Sequence, residues 1–442
     1  MISCVLRVRN VSDGRCGGRG WAVGTGHLSV LVLIPLLVAM INVGWSAPRV
    51  TTATFPRTMG MNIGLKNYDD PTYQSELARL DVVILGFYPG WSGKNGWASM
   101  AETVRAIKAK NPNILVGQYT VLSETQASSD RTSADGDKGR KLDAEGWWLR
   151  DADGDRVQWT DRYAAFDVNI SGWARQDKNG ERYPEWLAQR DFHQYFKSVP
   201  QFDIWYFDNA LGRPAVTLAD WDGDGRNDSR DAPRIASAYR KGHVAHWEAA
   251  RRLYPAALLI GNSDDVSSPE YSKQLNGVFM EAVIGASWSM GRWKGWSAVM
   301  ERYREAMKQT AMPHIVGFNV HGSKDDYQTL RYGLASCLLD DGYFSYTDTD
   351  REYSSVPWFD EYDVDLGLPI DPPPTTPWKN GVFRRNFQRG SVLVNPGVLP
   401  STVVIESGYR KIKGKQAPDI NDGSVARSLI LLGKDGLILV RE

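Results

Sequence analysis

The most informative stretch of the chain is DIWYFDNA (203–210), in which four apolar or aromatic residues lead directly into a carboxylate, Asp208. Short runs of β-branched and aromatic residues predict buried strands. Seven further runs of this kind occur along the chain: MGMNIG (59–64), DVVILGF (81–87), ILVGQYTV (114–121), ALLIGNS (257–263), GVFMEAV (277–283), HIVGFNV (314–320) and GYFSYTD (342–348). The sequence therefore predicts eight buried strands.

Amphipathic segments separate these runs, for example MAETVRAIKAKNP (100–112) and SAYRKGHVAHWEAARRLYP (237–255). Both segments end at a proline, which cannot continue a helix. Apolar strands that alternate with helices predict a parallel sheet covered on both faces. Eight such units in roughly 320 residues predict an α/β fold, the (β/α)8 TIM barrel. A doubly wound open sheet is the alternative, but no G-x-G-x-x-G motif follows the first predicted strand.

Two regions depart from a regular barrel. A long insertion, residues 122–202, separates the third and fourth predicted strands, and we expect it to build the rim of the active-site face. The run PPPTTP, which follows Asp371, marks a linker, and the segments after it alternate like hairpin strands with glycine-containing turns. The predicted organisation is a barrel over residues 48–378 and a small C-terminal β-domain over residues 379–442.

The N-terminal segment has the pattern of a targeting signal. Residues 28–43 are almost wholly apolar, and they lie between Arg7, Arg9, Arg15 and Arg19 on one side and Gly44, Ser46 and Ala47 on the other. This arrangement predicts a secretory signal peptide over residues 1–47. A retained anchor is the alternative, although the stretch is short for a bilayer span of roughly 20 residues. We expect a secreted or cell-envelope protein, periplasmic or extracellular, which touches a membrane only if this segment stays uncleaved.

The composition restricts the class of partner. Lys+Arg and Asp+Glu number 52 each, so the chain has no basic excess with which to hold phosphate groups, and a nucleic-acid partner is not expected. In contrast, 17 Trp and 19 Tyr supply many flat side chains that can stack on sugar rings. Carbohydrate is therefore the favoured ligand.

Two carboxylates are the candidate catalytic residues. Barrel enzymes carry their active sites at the carboxyl ends of the strands. Asp208 ends the fourth predicted strand and Glu281 lies in the sixth, each as a single carboxylate in an apolar run. Each could simply cap a loop or pair with a basic residue, but a buried charge is costly unless it has such a partner or faces a functional cavity. Cleavage of a glycosidic bond requires such a pair, one to attack or stabilise the sugar centre and one to protonate the leaving oxygen.

Other residues near the same strand ends are candidate substrate ligands. We expect the asparagines to hydrogen-bond sugar hydroxyls and the aromatic residues to shape the cleft, although loop tryptophans fill a core equally often. These candidates are Tyr119, Trp147, Trp148, Asn209, Asn262, Asp264, Asn319 and His321. The six histidines show no paired spacing for a transition metal. No organic cofactor is expected.

Residues 220–231, DWDGDGRNDSRD, have the spacing of a calcium-binding loop. Acidic side chains occupy positions 1, 3, 5, 9 and 12, and Gly225 occupies position 6. We predict a structural Ca²⁺ that orders the wall beside the catalytic centre, and a solvated acidic turn is the alternative. The predicted ligands are Asp220, Asp222, Asp224, the carbonyl of Arg226, Asp228 and Asp231.

Several of these segments resemble a known family. The end of the fourth strand, the strands that carry Asn262 and Glu281, and the run RRNFQRGSVLVNP (384–396) are similar to hypothetical glycosyl hydrolase family 15. The resemblance covers most of residues 56–400. More distantly, the barrel is similar to the endo-α-1,4-polygalactosaminidases. In that group an Asp at the end of strand four and a Glu on strand six form the catalytic pair, which implies the same roles for Asp208 and Glu281.

The resulting hypothesis is a secreted barrel glycoside hydrolase that acts on a polysaccharide or oligosaccharide. Asp208 is expected to be the nucleophile or stabilising base and Glu281 the general acid/base. A catalytically inactive carbohydrate-binding or envelope protein on the same barrel is the main alternative. A polysaccharide deacetylase would need a set of metal-binding His and Asp residues, which the sequence does not display.

Overall fold

Eight parallel strands form one sheet in which the strands are hydrogen-bonded in chain order. In the computed structural model these strands are Met59–Asn62, Val82–Leu85, Leu115–Val121, Ile204–Asp208, Leu258–Gly261, Gly277–Ile284, Gly317–Gly322 and Tyr343–Asp348. A parallel bridge between Thr58 and Phe344 joins the two ends of the sheet and closes it into a barrel. The predicted TIM barrel is confirmed, and each strand overlaps one of the eight predicted runs.

The structure describes residues 54–64, 67–88, 91, 99–127, 135–162, 164–263, 268–286 and 294–442. The predicted signal segment, residues 1–47, lies outside the described residues. Among the described residues, no helix has both the length and the apolar character that crossing a bilayer requires.

Helices follow the strands and cover the outside of the barrel. Their ends have local causes: Ser99 and Glu102 form a reciprocal capping box at the start of the helix Met100–Lys110, which ends before Pro112. The α-helices are Pro71–Leu77, Met100–Lys110, Gly136–Glu145, Tyr183–Asp191, Pro233–Leu253, Pro269–Ser272, Trp296–Gln309 and Tyr327–Cys337. A π-helical turn, Phe192–Phe196, and a 3₁₀ turn, Asp360–Asp363, complete the helical elements of the described residues.

The strands divide their side chains between two cores, because successive residues of a strand point to opposite faces. In the fourth strand, Trp205 and Phe207 pack towards the helices, and Ile204 and Tyr206 fill the barrel interior. The other fully buried interior side chains belong to the same layered cluster: Met59, Met61, Val82, Ile84, Leu115, Leu258, Ile260, Phe279, Ile315 and Tyr343. The barrel is therefore a packed core and not a pore.

The insertion after the third strand has a core of its own. It carries a short antiparallel pair, Glu124–Gln126 with Ala165–Asp167, and two of the helices. Its buried residues pack with residues of the loop after the fourth strand, including Val216, Ala219 and Trp221. That loop contains the antiparallel pair Leu218–Ala219 and Asp228–Ser229. The insertion and this loop thus form one wall above the barrel.

The C-terminal segment forms two antiparallel sheets, as the sequence predicts. One contains Phe383–Phe387, Gly390–Asn395, Tyr409–Lys411 and Asp435–Arg441, and the other pairs Ser401–Val404 with Ser428–Leu431. Buried aliphatic residues between the sheets give this part a separate core. A buried two-pronged ion pair from Arg331 on the helix Tyr327–Cys337 to Asp435 ties it to the barrel.

Candidate active site

Strand alternation directs both predicted catalytic carboxylates to the mouth of the barrel. Asp208 lies two residues after Tyr206 and Glu281 two residues after Phe279, and both aromatic residues belong to the interior core. Each carboxylate therefore extends the interior-facing row of its own strand by one layer, towards the carboxyl end. Both residues are half-buried.

An asparagine joins the two carboxylates. The side-chain Nδ2 of Asn262 donates to Oδ1 of Asp208 at 2.9 Å and to Oε2 of Glu281 at 2.9 Å. Asn262 follows the fifth strand, which lies between the fourth and the sixth in the sheet. An amide nitrogen carries two hydrogens, so each carboxylate takes one of them. The two accepting oxygens can lie no farther apart than twice 2.9 Å.

Two tyrosines complete this network from opposite sides. The hydroxyl of Tyr119 donates to Oδ2 of Asp208 at 2.5 Å. The hydroxyl of Tyr353 donates to Oε1 of Glu281. Each carboxylate therefore accepts one tyrosine hydroxyl and one hydrogen of Asn262, and all four carboxylate oxygens are engaged. Such paired donors hold a carboxylate in a fixed orientation.

The network also affects protonation. Burial raises the pKa of Asp208, and the nearby charge of Glu281 raises it further, while the hydrogen bonds from Tyr119 and Asn262 act in the opposite direction. Burial holds the pKa of Tyr119 well above its usual range, with the charge of Asp208 as the next contribution. Burial and Glu281 likewise raise the pKa of Tyr353. The two tyrosines therefore remain hydrogen-bond donors throughout the physiological pH range.

The backbone directly after each carboxylate adopts a left-handed conformation. Asn209, after Asp208, has a φ of 49°, and Ala282, after Glu281, has a φ of 48°. For alanine this conformation costs roughly 1–2 kcal/mol. The sixth strand also shifts register between Met280 and Ile284. Strain and strand bulges of this kind concentrate at functional sites, so the backbone at both positions supports a functional role.

A cavity of about 730 Å³ opens next to Glu281. Glu281, Asn262 and Tyr353 are part of its lining. Its remaining lining comes from the insertion, the loop after the fourth strand, and the ends of the seventh and eighth strands: Trp159, Arg162, Asn209, Leu211, Arg213, Pro214, Ala215, Arg230, His321, Thr347, Thr349 and Glu352. A second, smaller space of about 200 Å³ lies on the other side, lined in part by Tyr119.

Three predicted substrate ligands reach the cavity. Asn262 bridges the carboxylates, Asn209 lines the wall while its Nδ2 donates to Glu124 at 3.0 Å, and His321 lines the opposite side. Nε2 of His321 is buried without a hydrogen-bond partner, and burial lowers the pKa of its ring. Asp264 lies outside the described residues.

The structure corrects three of the predicted ligands. Trp147 and Trp148 are buried in the core of the insertion, where their indole nitrogens donate to the carbonyl of Arg175 and to Asp143. They fill a core because the insertion is large enough to need one. Asn319 is fully buried beneath the site.

Asn319 supports the strained backbone of the sixth strand. Its Oδ1 accepts a hydrogen bond from the backbone N–H of Ala282 at 2.9 Å. Its Nδ2 donates to Ser345 and Thr347 of the eighth strand. All its polar groups are therefore used within the barrel, and it positions Glu281 indirectly instead of binding a sugar hydroxyl.

Two residues of the site are absent from the sequence-based prediction. Tyr353 follows a tight turn after the eighth strand, in which the N–H of Glu352 donates to the carbonyl of Asp348 at 2.6 Å. Trp159 lies in the insertion, with its backbone N–H bonded to Asp167 and its indole N–H to Glu124. Burial raises the pKa of Asp167 to about 7, helped by the adjacent Glu124. No periodicity marks either residue, since both lie in irregular segments.

The acidic loop after the fourth strand gathers only some of the predicted calcium ligands. Carboxylate oxygens of Asp220, Asp222 and Asp224 lie within 4.8 Å of one another, and Oδ1 of Asp222 is buried without a hydrogen-bond partner. Asp228 instead forms an ion pair with Arg234, which also binds Asp222, and Asp231 forms one with Arg213. The backbone N–H of Arg226 donates to Asp224. The calcium site stays a prediction.

Comparisons with known proteins give the family. The sequence model of hypothetical glycosyl hydrolase family 15 matches residues 108–391. No curated protein sequence matches the chain.

Three solved structures with a similar fold are distant in sequence from this chain. One is the glycoside hydrolase domain of PelA from Pseudomonas aeruginosa, at 12% identity and a TM-score of 0.43, covering 69% of this chain and 98% of that one. An Anoxybacillus alpha-amylase has 10% identity and a TM-score of 0.44, covering 87% and 98%. A cycloalternan-degrading enzyme from Trueperella pyogenes has 12% identity and a TM-score of 0.47, covering 90% and 63%.

The family match includes Asp208, Asn262 and Glu281, the three residues of the hydrogen-bonded centre. It spans more than half of the chain, so this protein belongs to hypothetical glycosyl hydrolase family 15.

Proposed function

We propose that this protein hydrolyses O-glycosidic bonds of a polysaccharide, with Asp208 and Glu281 as the catalytic pair. The observation that carries the proposal is the single amide of Asn262 bonded to both carboxylates at the barrel mouth. Within the part of the chain that the structure describes, neither carboxylate has a basic partner within ion-pair distance. Asp208 and Glu281 are therefore not held in structural ion pairs with basic residues, which was the alternative to a catalytic role.

The geometry favours hydrolysis with retention of configuration. Retaining enzymes hold their two carboxyl groups about 5–5.5 Å apart, whereas inverting enzymes need about 6.5–9.5 Å to admit a water molecule. The two oxygens bound to the Asn262 amide lie no farther apart than twice 2.9 Å, which is shorter than the inverting separation.

The two carboxylates differ in access, and this difference supports their roles. Glu281 lines the cavity, where it can reach the oxygen of a leaving group, whereas Asp208 is not part of that lining and contacts it through Asn262. We assign Asp208 as nucleophile: it attacks the anomeric carbon while the glycosidic C–O bond breaks and Glu281 transfers its proton to the departing oxygen. In the second step Glu281 takes a proton from water, which attacks the same carbon and releases Asp208.

The raised pKa of Asp208 favours a proton on that residue in the free protein, so the assigned roles require this proton to pass to Glu281 when a sugar binds. Two carboxylates at this distance do not readily ionise together, so the pair tends to hold one proton. A retaining hydrolase needs that state, with one carboxylate charged and one protonated.

The test is a screen of the mature protein against α- and β-linked polysaccharides, with proton NMR of the first product formed. We expect one class of glycan to be hydrolysed and the new anomeric centre to keep the configuration of the substrate. Inversion would contradict the assigned geometry. Binding of a glycan without cleavage would instead identify an inactive carbohydrate-binding protein. Because residues 1–47 are predicted as a signal, we also propose that this activity is secreted or located in the cell envelope.

We further propose that Ca²⁺ binds the loop 220–231 and stabilises the wall of the cavity. Binding to the folded state alone would add stability in proportion to the ligand excess over its dissociation constant. Removal of calcium with a chelator is therefore expected to lower the Tm by at least about 3 °C. Asp224→Asn, which removes one charge from the exposed part of the cluster, should reduce that shift. An unchanged Tm in confirmed metal-free protein would disprove the site.

A further inference from the structure

Three arginines line the cavity beside Glu281: Arg162, Arg213 and Arg230. Two carboxylates line it as well, Glu281 itself and Glu352. Since Glu281 belongs to the proposed catalytic pair, the wall that would surround a bound sugar has an excess of positive charge.

Two of these arginines form exposed ion pairs. Arg162 lies 3.9 Å from Glu352, and both side chains are more than two-thirds exposed. Arg213 pairs with Asp231, and more than half of each side chain is exposed. Exposed pairs of this kind contribute about 0–1 kcal/mol. An anionic ligand can therefore compete with Asp231 for the guanidinium of Arg213 at little cost.

Arg230 differs because it has no acidic partner in the described residues. Its Nη1 donates to the carbonyl of Ala215 at 2.6 Å, and its Nε is buried without an acceptor. Its Nη2 is accessible, and no acceptor among the described residues lies within hydrogen-bond distance of it. This half-buried guanidinium thus keeps a free donor at the cavity wall.

The backbone fixes the position of Arg230. Its N–H donates to the carbonyl of Thr217 at 3.0 Å, next to the antiparallel pair Leu218–Ala219 and Asp228–Ser229. With Nη1 also bonded to Ala215, the guanidinium is held in place before any ligand arrives. Arginine in a fixed orientation is well suited to carboxylate or sulfate oxygens, because its planar fork matches their geometry.

We propose that this cavity binds an acidic sugar, whose carboxylate or sulfate group is received by Arg230 with help from Arg213. This inference rests on the proposed glycosidase function and names the substrate class for the same site: an acidic polysaccharide. Trp159, of which 40% is exposed, lies on the same wall and offers a ring for stacking. A neutral sugar that displaced water from this wall would leave the guanidinium of Arg230 without an anionic partner, and burying an unpaired charge is unfavourable.

The test measures binding separately from hydrolysis. Asp208→Asn protein, which is expected to bind without turnover, is titrated calorimetrically with oligogalacturonate, sulfated carrageenan oligomers, dextran oligomers and chitosan oligomers. We expect at least one acidic probe to bind about tenfold or more tightly than dextran and chitosan. The uronate and sulfate arms identify which anionic group is recognised. Equal binding of the neutral or cationic probes, or no binding of either acidic probe, would overturn the inference.

A second substitution assigns the effect to Arg230. Arg230→Gln in the same background should weaken binding of the acidic probe about tenfold or more, and Arg230→Lys, which keeps the charge but loses the fork, should weaken it less. Arg251→Gln is the matched control, because Arg251 is also half-buried and bonded to a backbone carbonyl, that of Gln274, on the helix Pro233–Leu253. Unchanged affinity in both Arg230 variants would refute the assignment.

The same measurements separate this inference from the function on which it rests. Hydrolysis confined to neutral or cationic glycans would leave the glycosidase proposal intact and reject the acidic substrate. Acidic-probe binding that depends on Arg230, in a protein that hydrolyses no glycan, would reject the glycosidase and keep the anionic site.

Discussion

Asp208→Asn is expected to lower kcat on the glycan found by screening by at least about 10³-fold, because loss of a nucleophile removes the covalent step entirely. The asparagine keeps the shape of the side chain, so the hydrogen bond from Tyr119 can persist through its carbonyl oxygen. The measurement is the initial rate of reducing-end formation, with circular dichroism to verify the fold. Activity near the wild-type level would exclude Asp208 from the chemistry.

The same variant should also be more stable than the wild type at neutral pH. Burial and the charge of Glu281 raise the pKa of Asp208 in the folded state, so the ionised carboxylate destabilises that state. The loss of folding free energy grows as the pH rises from the pKa of the unfolded chain, about 3.9, through the pKa of the folded protein. Asparagine removes that loss. We expect the Tm at pH 7 to increase relative to the wild type, and the difference to shrink as the pH falls towards the unfolded value.

Asp203→Asn provides the matched control at the opposite end of the same strand. Asp203 accepts hydrogen bonds from Lys108 at 2.5 Å and from the backbone N–H of Val116 at 2.9 Å. Burial raises the pKa of Asp203 as it raises that of Asp208, but Asp203 also has a cationic partner, and losing the bonds to Lys108 and Val116 should outweigh the relief of burial. We therefore expect Asp203→Asn to lower stability by about 1–3 kcal/mol and to leave kcat of the folded protein unchanged. Opposite effects of two Asp→Asn substitutions on one strand would separate a catalytic carboxylate from a structural one. A loss of stability in both would contradict the electrostatic explanation for Asp208.

Strand periodicity made much of this site predictable. Once the fourth and sixth runs are recognised as barrel strands, the two-residue repeat from Tyr206 to Asp208 and from Phe279 to Glu281 places both carboxylates on the barrel interior. The same rule applies to Asn262, two residues after the buried Ile260. Chemistry carried by regular strands is therefore accessible to a sequence-based argument.

Chemistry carried by irregular segments was not predictable in this way. Tyr353 and Trp159 reach the site through turns whose direction depends on tertiary contacts. For the same reason, the sequence could not tell that Trp147 and Trp148 fill the separate core of the insertion. Asn319 lies on an interior-facing row, as predicted, but one layer too deep to meet a ligand. The two-residue repeat predicts which face of a strand a side chain lies on. It does not predict how far below the mouth of the barrel the side chain lies, because that depends on how far each strand extends.

Glu281→Gln should have an effect that depends on the leaving group. On a natural glycan, loss of the general acid should reduce kcat/KM by about 10²–10⁴-fold. On a 2,4-dinitrophenyl glycoside of the same sugar the reduction in the first step should stay within about tenfold, because that leaving group departs without a proton. Rates on aryl glycosides of graded leaving-group acidity measure this difference. Equal losses on all of them would contradict the assignment of Glu281 as the acid.

Azide then distinguishes the two carboxylates directly. In Glu281→Ala, azide should attack the covalent intermediate on Asp208 and yield a glycosyl azide with the configuration of the substrate, because it needs no general base. In Asp208→Ala, azide should occupy the vacated space and yield the opposite anomer. Glu352→Gln is the matched control, because Glu352 lines the same cavity but pairs with Arg162. Azide should not change the rate or product of this variant, and its rate relative to the wild type should not depend on the leaving group. If the configurations of the two azide products were exchanged between the alanine variants, Glu281 would be the nucleophile and Asp208 the acid. The retaining mechanism would still stand, because the amide of Asn262 binds both carboxylates and holds them close together in either assignment.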